Sequence, residues 1–364
     1  WVEFAQAGKP VVSDGFITML VLSGQTIWCL QSTTSNPASA SDWLSYPLFT
    51  QNLEGYAASI AAVLGTIGGH PAVLAGTGTG LRYLRAQILP PLGPADWNES
   101  LVNASTELTR TTELLEVDGK PTFLYSEFLS LGEVIYVHGL SNTTELGGDW
   151  LSYPVLGIYA YRPNLTVHDT QMLVQYVDYD YPMKTAVVAV TNLVPNPQSV
   201  ADWRADRHLV TPTPSGLSTT WSGRDATGWW VVWSAETVRD LDLSDLQYLW
   251  AHSSTFTPQS ETDWTISNLA VPVGSTVLTD LRMLNGRMIT LSRAADSTAP
   301  LVLGATATFP PLSGTDWRTT PLVQETGVRA PKSVCALPNG QLVVAGLNPV
   351  DNGVSFFTAE EPWP

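Results

Sequence analysis

The chain has 364 residues, of which 17 are basic and 33 are acidic, and its formal net charge is −16. Nucleic-acid binding depends on clustered Lys and Arg, and the four lysines are scattered at positions 9, 120, 184 and 332. The composition therefore excludes a nucleic-acid partner. The chain also lacks an apolar run of about 18 residues, the length that a membrane-spanning helix needs, so no membrane span is predicted.

The dipeptide Asp-Trp recurs along the chain at a nearly constant interval. With the terminal tryptophans included, successive members of the series stand 42 to 61 residues apart. A period of about 40 to 50 residues with strand-like content is typical of a β-propeller, in which each repeat forms one four-stranded blade. The tryptophans of the series are Trp1, Trp43, Trp97, Trp150, Trp203, Trp264, Trp317 and Trp363.

Each unit begins with a strand that ends in a tight turn. Asp-Gly and Asn-Gly pairs between apolar runs predict hairpins whose two central residues have positive φ. A second strand follows each turn, for example at 71–75 and 121–125. The fourth unit breaks the rule with Asp169-Thr170. In the other units the turn pairs are 14–15, 68–69, 118–119, 227–228, 285–286 and 339–340.

A third strand carries an aromatic or β-branched residue at one position of the repeat. A loop rich in Pro and Ser then leads to the Asp-Trp pair, and the Trp opens a fourth strand. Because a Trp side chain buries one of the largest apolar areas, we expect these tryptophans to fill the gaps between neighbouring blades. The preceding Asp is expected to accept backbone N–H bonds in its turn.

These features predict an all-β fold, a single seven-bladed β-propeller over residues 1–364 with four-stranded antiparallel blades. Residues 1–4 would supply the outer strand of the last blade and so close the ring. Such closure leaves no long free sheet edge. The predicted repeat units are 1–43, 44–97, 98–150, 151–203, 204–264, 265–317 and 318–364.

The repeat also resembles a known class of sequence. The pattern Gly-x-Pro, apolar strand, turn, Leu-x-Tyr strand, Pro-x-Ser-x-x-Asp-Trp is similar to the degenerate Asp-box-like repeats of bacterial and phage β-propellers, and it covers essentially the whole chain. It departs from the strict Asp box of sialidases, because Asp and Trp are adjacent here. The resemblance implies a scaffold, and propeller scaffolds carry enzymes, lectins and assembly proteins alike.

Two adjacent units are longer between their second and third strands. The fourth unit has an acidic and aromatic run at 176–182, and the fifth has an acidic run at 238–245. Insertions in a propeller lie on one face and often carry its specificity. Alternating Asp residues could ligate Ca²⁺, although the Gly and distal Glu of an EF-hand loop are missing and a solvated loop is the simpler interpretation. No other cofactor is predicted.

The fifth unit also concentrates tryptophans. Trp229 and Trp230 are adjacent in one strand and therefore point to opposite faces of the sheet. Packing between blades is one interpretation, and an exposed platform for a sugar ring or a protein is the other. We expect the ligand or partner surface over the fourth and fifth blades, formed by Tyr179, Asp180, Tyr181, Trp229, Trp230, Asp240 and Asp242.

The chemistry-bearing residues follow no catalytic motif. The five histidines are scattered, and no Gly-x-Ser-x-Gly, His-Glu-x-x-His or phosphate loop occurs, so no catalytic residue is assigned. Cys29 and Cys335 lie in non-equivalent strands, and free thiols are favoured over a disulfide.

The leading functional interpretation is a non-catalytic binding or assembly propeller. It would be extracellular or on a phage or virus particle, as a spike, tail or receptor-binding component, with other proteins of the assembly or a surface glycan as partners. A secreted carbohydrate-binding lectin and a carbohydrate-active enzyme, a glycosidase or lyase, are the alternatives. Because the chain begins with Trp rather than Met, we expect it to be processed or to be a segment of something longer.

Overall fold

The computed structural model describes most of the chain. The described residues are 6–50, 62–77, 79–104, 109–127, 134–143, 147–156, 160–180, 184–204, 217–235, 247–284, 286–294, 301–306, 311, 313–322, 329–337, 340–348 and 353–359. Their regular structure consists of antiparallel strands and short 3-10 turns. No helix of these segments is long and apolar enough to cross a membrane.

The strands pair into separate sheets that follow the order of the chain. The first sheet contains β1 (Gln6–Ala7), β2 (Val11–Ser13), β3 (Phe16–Ser23), β4 (Thr26–Ser32) and β5 (Trp43–Thr50). The second contains β6 (Ala62–Ile67), β7 (His70–Thr77), β8 (Gly80–Ala86) and β9 (Trp97–Asn103). The third contains β10 (Thr109–Thr111), β11 (Leu115–Val117), β12 (Lys120–Glu127), β13 (Val134–Gly139) and β14 (Trp150–Leu156).

The later part of the chain repeats the arrangement. The fourth sheet contains β15 (Ala160–His168), β16 (Gln171–Asp180) and β17 (Lys184–Thr191). The fifth contains β18 (Leu217–Arg224), β19 (Trp229–Ala235), β20 (Gln247–Ser253) and β21 (Trp264–Asn268). The sixth contains β22 (Val277–Leu284), β23 (Arg287–Arg293), β24 (Val302–Thr306) and β25 (Trp317–Pro321), and the seventh contains β26 (Arg329–Ala336), β27 (Leu342–Asn348) and β28 (Gly353–Ala359).

The chain divides into two compact units. One consists of residues 1–129, 137–152 and 325–364, and the other of residues 130–136 and 153–324. In the first unit, β2 contacts β26 of the seventh sheet and β6 of the second, and β6 contacts β11 of the third. In the second unit, β15 contacts β18, which in turn contacts β22. Within each unit, neighbouring sheets therefore touch through their first strands.

The blade count differs from the prediction. Six sheets follow the full repeat, because their outer edge is a strand that begins at the Asp-Trp tryptophan or, in the fourth sheet, a bridge between Asn192 and Trp203. The seventh sheet has three strands in the described part of the chain. The described residues thus show six complete blades, and the prediction of seven four-stranded blades is wrong in its count. The prediction of four-stranded antiparallel blades is confirmed.

The described part of the N-terminal segment, Gln6 and Ala7, belongs to the first sheet. Gln6 and Ala7 pair with Leu22 and Val21 of the first sheet, and no described N-terminal strand joins β28. Pro10, which has no N–H to donate, interrupts this segment and separates β1 from β2. Residues 1–4, which were predicted to close the ring, lie outside the described residues.

The hairpin turns at 14–15, 68–69 and 118–119 follow the prediction, whereas the pair at 227–228 does not, because neither residue has positive φ. Asp14 and Gly15 have φ of 50° and 82°, and Asp118 and Gly119 have φ of 52° and 72°. Both central residues therefore adopt the left-handed conformation that a primed turn requires. The irregular turn of the fourth sheet keeps this geometry at Asp169, whose φ is 56°.

The Asp of each Asp-Trp pair organises the turn before the outer strand. Oδ2 of Asp42 accepts hydrogen bonds from Ala38 N at 2.9 Å and from Ser39 N at 2.8 Å, as expected from the sequence. These backbone bonds hold the pKa of Asp42 below its ordinary value, and a bond from Gln198 N does the same for Asp202. Backbone N–H groups also donate to Asp96, Asp202, Asp263 and Asp316.

The repeated tryptophans pack against the sheet that precedes their own. Trp150 makes edge contacts with Tyr83 of the second sheet at 5.1 Å and with Phe123 at 5.8 Å. Nε1 of Trp97 donates to the hydroxyl of Tyr46 in the first sheet at 3.1 Å. Trp203 makes an edge contact with Tyr136 at 5.5 Å. Three further tryptophans share a hydrophobic cluster with a residue of the preceding sheet: Trp43 with Val354, Trp264 with Leu173 and Trp317 with Trp250. Trp1 and Trp363 lie outside the described residues.

If this packing holds neighbouring sheets together, removing one ring will be costly. We expect Trp150→Ala to lower the free energy of unfolding by about 3–5 kcal/mol, because the deleted ring leaves a cavity. Leu140→Ala is the control, since Leu140 is 48% exposed and its loss should change stability by less than about 0.5 kcal/mol. Denaturant titration of both variants makes the comparison. Equal stability of the two would remove the packing argument.

The hydrogen-bonded carboxylates predict an acid-sensitive contribution to stability. A carboxylate whose pKa is lower in the folded chain than in the unfolded chain stabilises the fold at pH values above its unfolded pKa. This stabilisation is lost as the pH falls through the folded pKa. The melting temperature should therefore decrease when the pH is lowered below about 4. The decrease should be smaller in a double variant, Asp42→Asn with Asp202→Asn. Asp14→Asn with Asp118→Asn is the matched control, because it removes two turn carboxylates and Asn tolerates positive φ. If the melting temperatures of the first variant and the wild type decreased equally at acid pH, the stabilising role of Asp42 and Asp202 would be contradicted.

Candidate functional site

Two of the residues predicted from the sequence lie in the interior. Trp229 is 0% and Trp230 is 1% exposed. Trp229 packs with Leu173 of the fourth sheet, and Trp230 packs with Leu278 of the sixth. The two faces of β19 are both covered by neighbouring sheets, so neither ring forms the exposed platform that the sequence suggested, and the packing interpretation is correct.

The rest of the predicted surface remains a prediction. The backbones of Tyr179 and Asp180 pair with Thr185 and Lys184 at the end of β16, but their side chains lie outside the described residues. Tyr181, Asp240 and Asp242 lie wholly outside them. The proposed Ca²⁺ ligands fall in the same segments. Among the described residues, no group of three or more His, Cys, Asp or Glu side chains could hold a metal ion.

The structure instead brings together a different set of residues, here called the Arg224 cluster: His168, Asp169, Arg224, Trp229 and Phe256. His168 ends β15 and Arg224 ends β18, the first strands of two neighbouring sheets that touch each other. Asp169 follows His168 in the hairpin turn. The fold therefore places an imidazole, a carboxylate and a guanidinium at one end of these strands.

Arg224 is held by aromatic rings. Its guanidinium carbon lies 3.8 Å from the ring centre of Phe256 and 5.7 Å from that of Trp229. The indole of Trp229 donates to the carbonyl of Phe256 at 2.9 Å, which fixes the two rings relative to each other. A cation over an aromatic face gains about 0.5–1 kcal/mol at an exposed site. The ring contacts orient the guanidinium without neutralising it.

The charge of Arg224 is not paired directly with a described carboxylate, and the Asp169 carboxylate contacts it only through Nδ1 of His168. No ion pair joins it to a carboxylate within the described segments, and its buried Nε has no hydrogen-bond partner there. A guanidinium stays charged at any physiological pH and has five N–H donors in a planar fork. Buried or partly buried charges are normally paired. Arg224 is therefore a candidate receptor for an anionic group of a ligand.

His168 lies beside this cation and is accessible. Its side chain is 51% exposed, and its Nδ1 lies 3.0 Å from Nη1 of Arg224 and 3.1 Å from Oδ2 of Asp169. Asp169 is 83% exposed. A half-exposed imidazole with one hydrogen-bonded nitrogen can act as a general base or acid. The cluster thus combines an anion receptor with a proton-transfer group.

A second histidine nearby has a structural role. Nε2 of His252 lies 3.0 Å from Oδ2 of Asp225 and 3.1 Å from the hydroxyl of Thr227, and its ring stacks on Trp250 at 5.3 Å. A catalytic triad needs the carboxylate and the nucleophile on different ring nitrogens, whereas here both meet Nε2. In the first and second sheets the equivalent third-strand residues, Gln31 and Arg85, also reach back to the first hairpin. His252 therefore belongs to a repeated structural contact.

Asp225 is the acceptor that organises this turn. Burial disfavours its charge, but hydrogen bonds from the hydroxyl and N–H of Thr227 and from Gly228 N outweigh that effect and lower the pKa of Asp225. The N–H bonds are 2.7 Å and 3.0 Å long. This hairpin has no Asp-Gly pair, and the Asp225 side chain stabilises its turn instead by accepting these hydrogen bonds.

The two cysteines are free thiols. Cys29 is buried and Cys335 is half-buried, and no disulfide joins them. Burial raises the pKa of Cys29 to about 12, which keeps it protonated and inert at neutral pH. The sequence expectation of free thiols is met.

The comparisons with known proteins show the fold. Neither the scan against family models nor the search of curated proteins found a match. Among solved structures, an ulvan lyase of the polysaccharide lyase family PL25, bound to -[GlcA(1-4)Rha3S]-, is similar with a TM-score of 0.66 and 11% identity, covering 99% of this chain and 94% of the lyase. The propeller domain of the Trilobed protease from Pyrococcus furiosus is similar with a TM-score of 0.57 and 9% identity, covering 99% and 96%.

The chain is a β-propeller with four-stranded antiparallel blades. The same likeness corrects the leading functional interpretation of the sequence. A non-catalytic assembly, spike or receptor-binding component was expected, but the structures with TM-scores of 0.66 and 0.65 are both of a polysaccharide lyase. The expected place on a virus particle and the expected receptor-binding role have no support in these comparisons.

The two histidine clusters predict different responses to mutation. Asp225→Ala should lower the free energy of unfolding by about 1–2 kcal/mol, because it leaves turn N–H groups without an acceptor. His168→Gln should change it by less than about 0.5 kcal/mol, since the side chain is half exposed and packs against little. Thermal melts of the two variants test this. A larger loss for His168→Gln than for Asp225→Ala would reverse the assignment of roles.

Proposed function

We propose that the chain is a carbohydrate-active enzyme that cleaves an acidic polysaccharide by β-elimination, that is, a polysaccharide lyase. The observation that carries the proposal is the Arg224 cluster, in which a guanidinium not paired directly with a described carboxylate lies 3.0 Å from an accessible histidine. Those two groups match the two principal requirements of the reaction.

The first requirement is neutralisation of a carboxylate. The proton removed from a uronic acid lies on the carbon next to its carboxylate, and the developing negative charge spreads onto that group. A cation placed there stabilises the transition state more than the ground state. Arg224 has the planar, bidentate fork that suits a carboxylate. Its ring contacts with Phe256 hold the fork in one orientation.

The second requirement is a base that takes the proton. His168 can accept it on Nε2, the ring nitrogen that is not in contact with Arg224 or Asp169. The same group can then return the proton to the oxygen of the leaving sugar, directly or through water. No net oxidation occurs, because the C–H electron pair forms the new double bond as the C–O bond breaks.

Hydrolysis fits the cluster less well. Glycosidases use two carboxylates on opposite sides of the scissile bond. The Arg224 cluster offers one carboxylate, Asp169, together with a cation and an imidazole. This composition favours elimination over hydrolysis.

The likeness to the ulvan lyase supports the same reaction class, because it extends over 99% of this chain. The ligand in that structure contains a glucuronic acid residue by its name, and we carry the acidic sugar over to this chain as part of the proposal. A glycan partner outside the cell follows from it. The Asp-box-like relationship and the bacterial or phage origin remain predictions from the sequence.

The net charge limits how such a substrate is bound. A chain with a net charge of −16 repels a polyanion at long range. Binding therefore has to come from local groups whose positive charge is not already compensated. Arg224 is such a group, whereas Arg82 is paired with Glu99 and Lys9 with Glu113.

A panel of polysaccharides tests the proposal. The purified chain should form unsaturated uronic acid ends, seen by ultraviolet absorbance, on uronate-containing polysaccharides and not on neutral ones. His168→Gln should lower kcat/KM at least about 100-fold, the lower range for a lost general base. His252→Gln is the matched control and should retain activity to the extent that it folds.

The possible outcomes separate the function classes. New reducing ends without ultraviolet absorbance would indicate a hydrolase. Tight binding of a polysaccharide without cleavage would indicate a lectin. Either result would overturn the proposed lyase activity.

A further inference from the structure

We infer that Nδ1 of His168 exchanges its hydrogen-bond partner from Arg224 to Asp169 when a carboxylate binds to Arg224, and that this exchange makes the imidazole a base. The inference rests on the proposed function and adds a positioning role for Asp169. It follows from two short contacts that meet at one ring nitrogen.

The two contacts at Nδ1 exclude each other chemically. Nη1 of Arg224, at 3.0 Å, can only donate, so it needs a lone pair on Nδ1. Oδ2 of Asp169, at 3.1 Å, can only accept when ionised, so it needs a proton on Nδ1. A neutral imidazole has one protonated and one unprotonated nitrogen. His168 therefore makes one of these bonds at a time.

The bond to Arg224 disables His168 as a base. When Nδ1 accepts from Arg224, the single proton of the neutral ring lies on Nε2. Nε2 then has no lone pair with which to remove a proton. The free protein is thus poised in a state that binds anions and does not catalyse proton abstraction.

A bound carboxylate would break that bond. Hydrogen bonds between guanidinium and carboxylate are charge-assisted and stronger than a bond from guanidinium to a neutral imidazole. Arg224 is held by the rings of Phe256 and Trp229 rather than by a described carboxylate. The guanidinium can therefore give up its bond to Nδ1 and donate to the ligand without breaking an ion pair among the described residues, while it stays on the Phe256 ring.

Asp169 would then set the catalytic tautomer. Once Nδ1 is released, the ring exchanges protons with water: it gains a proton on Nδ1, which donates to Oδ2 of Asp169, and loses the proton on Nε2, where the lone pair now lies. Nε2 takes the proton from the carbon next to the substrate carboxylate, the C–H electrons form the carbon–carbon double bond, and the C–O electrons leave with the departing sugar oxygen. The imidazolium gives this proton to that oxygen, directly or through a bridging water, which restores the neutral ring.

The turn geometry supports a positioning role for Asp169. It has φ of 56° in the turn that departs from the Asp-Gly and Asn-Gly pattern, and it is the residue next to His168. An Asp at this place keeps a carboxylate beside Nδ1 without any further contact. Asp118 holds the equivalent turn position in the third sheet with φ of 52° and has no histidine before it. It supplies a matched control.

The first experiment observes the tautomer directly. Nitrogen NMR of histidine-labelled protein reports which ring nitrogen carries the proton, and His168→Gln assigns the signal. Without ligand, His168 should be protonated on Nε2, and saturation with glucuronate should move the proton to Nδ1. Glucose should leave the signal unchanged. A free protein already protonated on Nδ1, no change at saturation, or no binding of glucuronate would each overturn the inference.

The second experiment separates binding from positioning. Arg224→Gln should weaken glucuronate binding by about tenfold or more, the loss expected for a charge-assisted hydrogen bond, whereas Arg82→Gln should not weaken it. Asp169→Asn should bind glucuronate within about twofold of the wild type. It should remain protonated on Nε2 in the complex, and its kcat should fall with little change in KM. Asp118→Asn should behave as the wild type, and an unaltered kcat in Asp169→Asn would overturn the role of Asp169.

The two proposals can fail separately. A tautomer exchange with glucuronate, but no unsaturated product from any polysaccharide, would retain the anion-responsive site and remove the lyase activity. Unsaturated product with an unchanged His168 tautomer would retain the lyase and remove the exchange.

Discussion

The packing of one tryptophan per blade against the preceding sheet is the contact on which the other features depend. A four-stranded sheet cannot bury both of its faces alone, and within each compact unit neighbouring sheets cover one another. The ring of Trp150 lies 5.1 Å from Tyr83 and 5.8 Å from Phe123, which belong to two different sheets. The Asp of the same dipeptide fixes the turn from which the ring projects. Together they set where the first strands of neighbouring blades meet.

The candidate site is a consequence of that arrangement. His168 and Arg224 are 56 residues apart in sequence and come within 3.0 Å because the first strands of the fourth and fifth sheets lie side by side. Trp229 and Trp230 are buried on opposite faces of β19, and they fix this strand between its neighbouring sheets. Trp229 holds Phe256, and Phe256 carries the guanidinium of Arg224. The tryptophans therefore support the site from inside rather than forming its surface.

Much of the fold could be predicted from the sequence because its signals are local. The Asp14-Gly15 turn and the Asp42-Trp43 dipeptide encode their conformations within a few residues. The number of complete blades could not be predicted in the same way. The predicted seventh blade depended on strands at Trp1 and Trp363, and the hydrogen bonds between strands so far apart in sequence are not encoded by local residues. The sequence gives a Trp spacing there but no register.

The site was harder to predict, since none of its members belongs to a motif. His168 and Arg224 are single residues in separate repeat units, and contact between them requires the register of two sheets. One signal was available, the replacement of the expected Gly-containing turn by Asp169-Thr170 immediately after His168. Departures from a repeat mark places where function constrains the chain more than turn chemistry does. The acidic loops drew attention for the same reason, but the tryptophans associated with them proved to be core residues.

The central claim is that the unpaired cation of Arg224 recognises a sugar carboxylate during cleavage. The most direct measurement compares cleavage of one uronate polysaccharide with cleavage of the same polysaccharide after reduction of its carboxylates to alcohols. The backbone, linkages and chain length are then unchanged, and the anion alone is removed. The account predicts unsaturated products from the first substrate and none from the second, for the wild type and for Arg82→Gln alike. Equal cleavage of both substrates, or cleavage of neither, would contradict it.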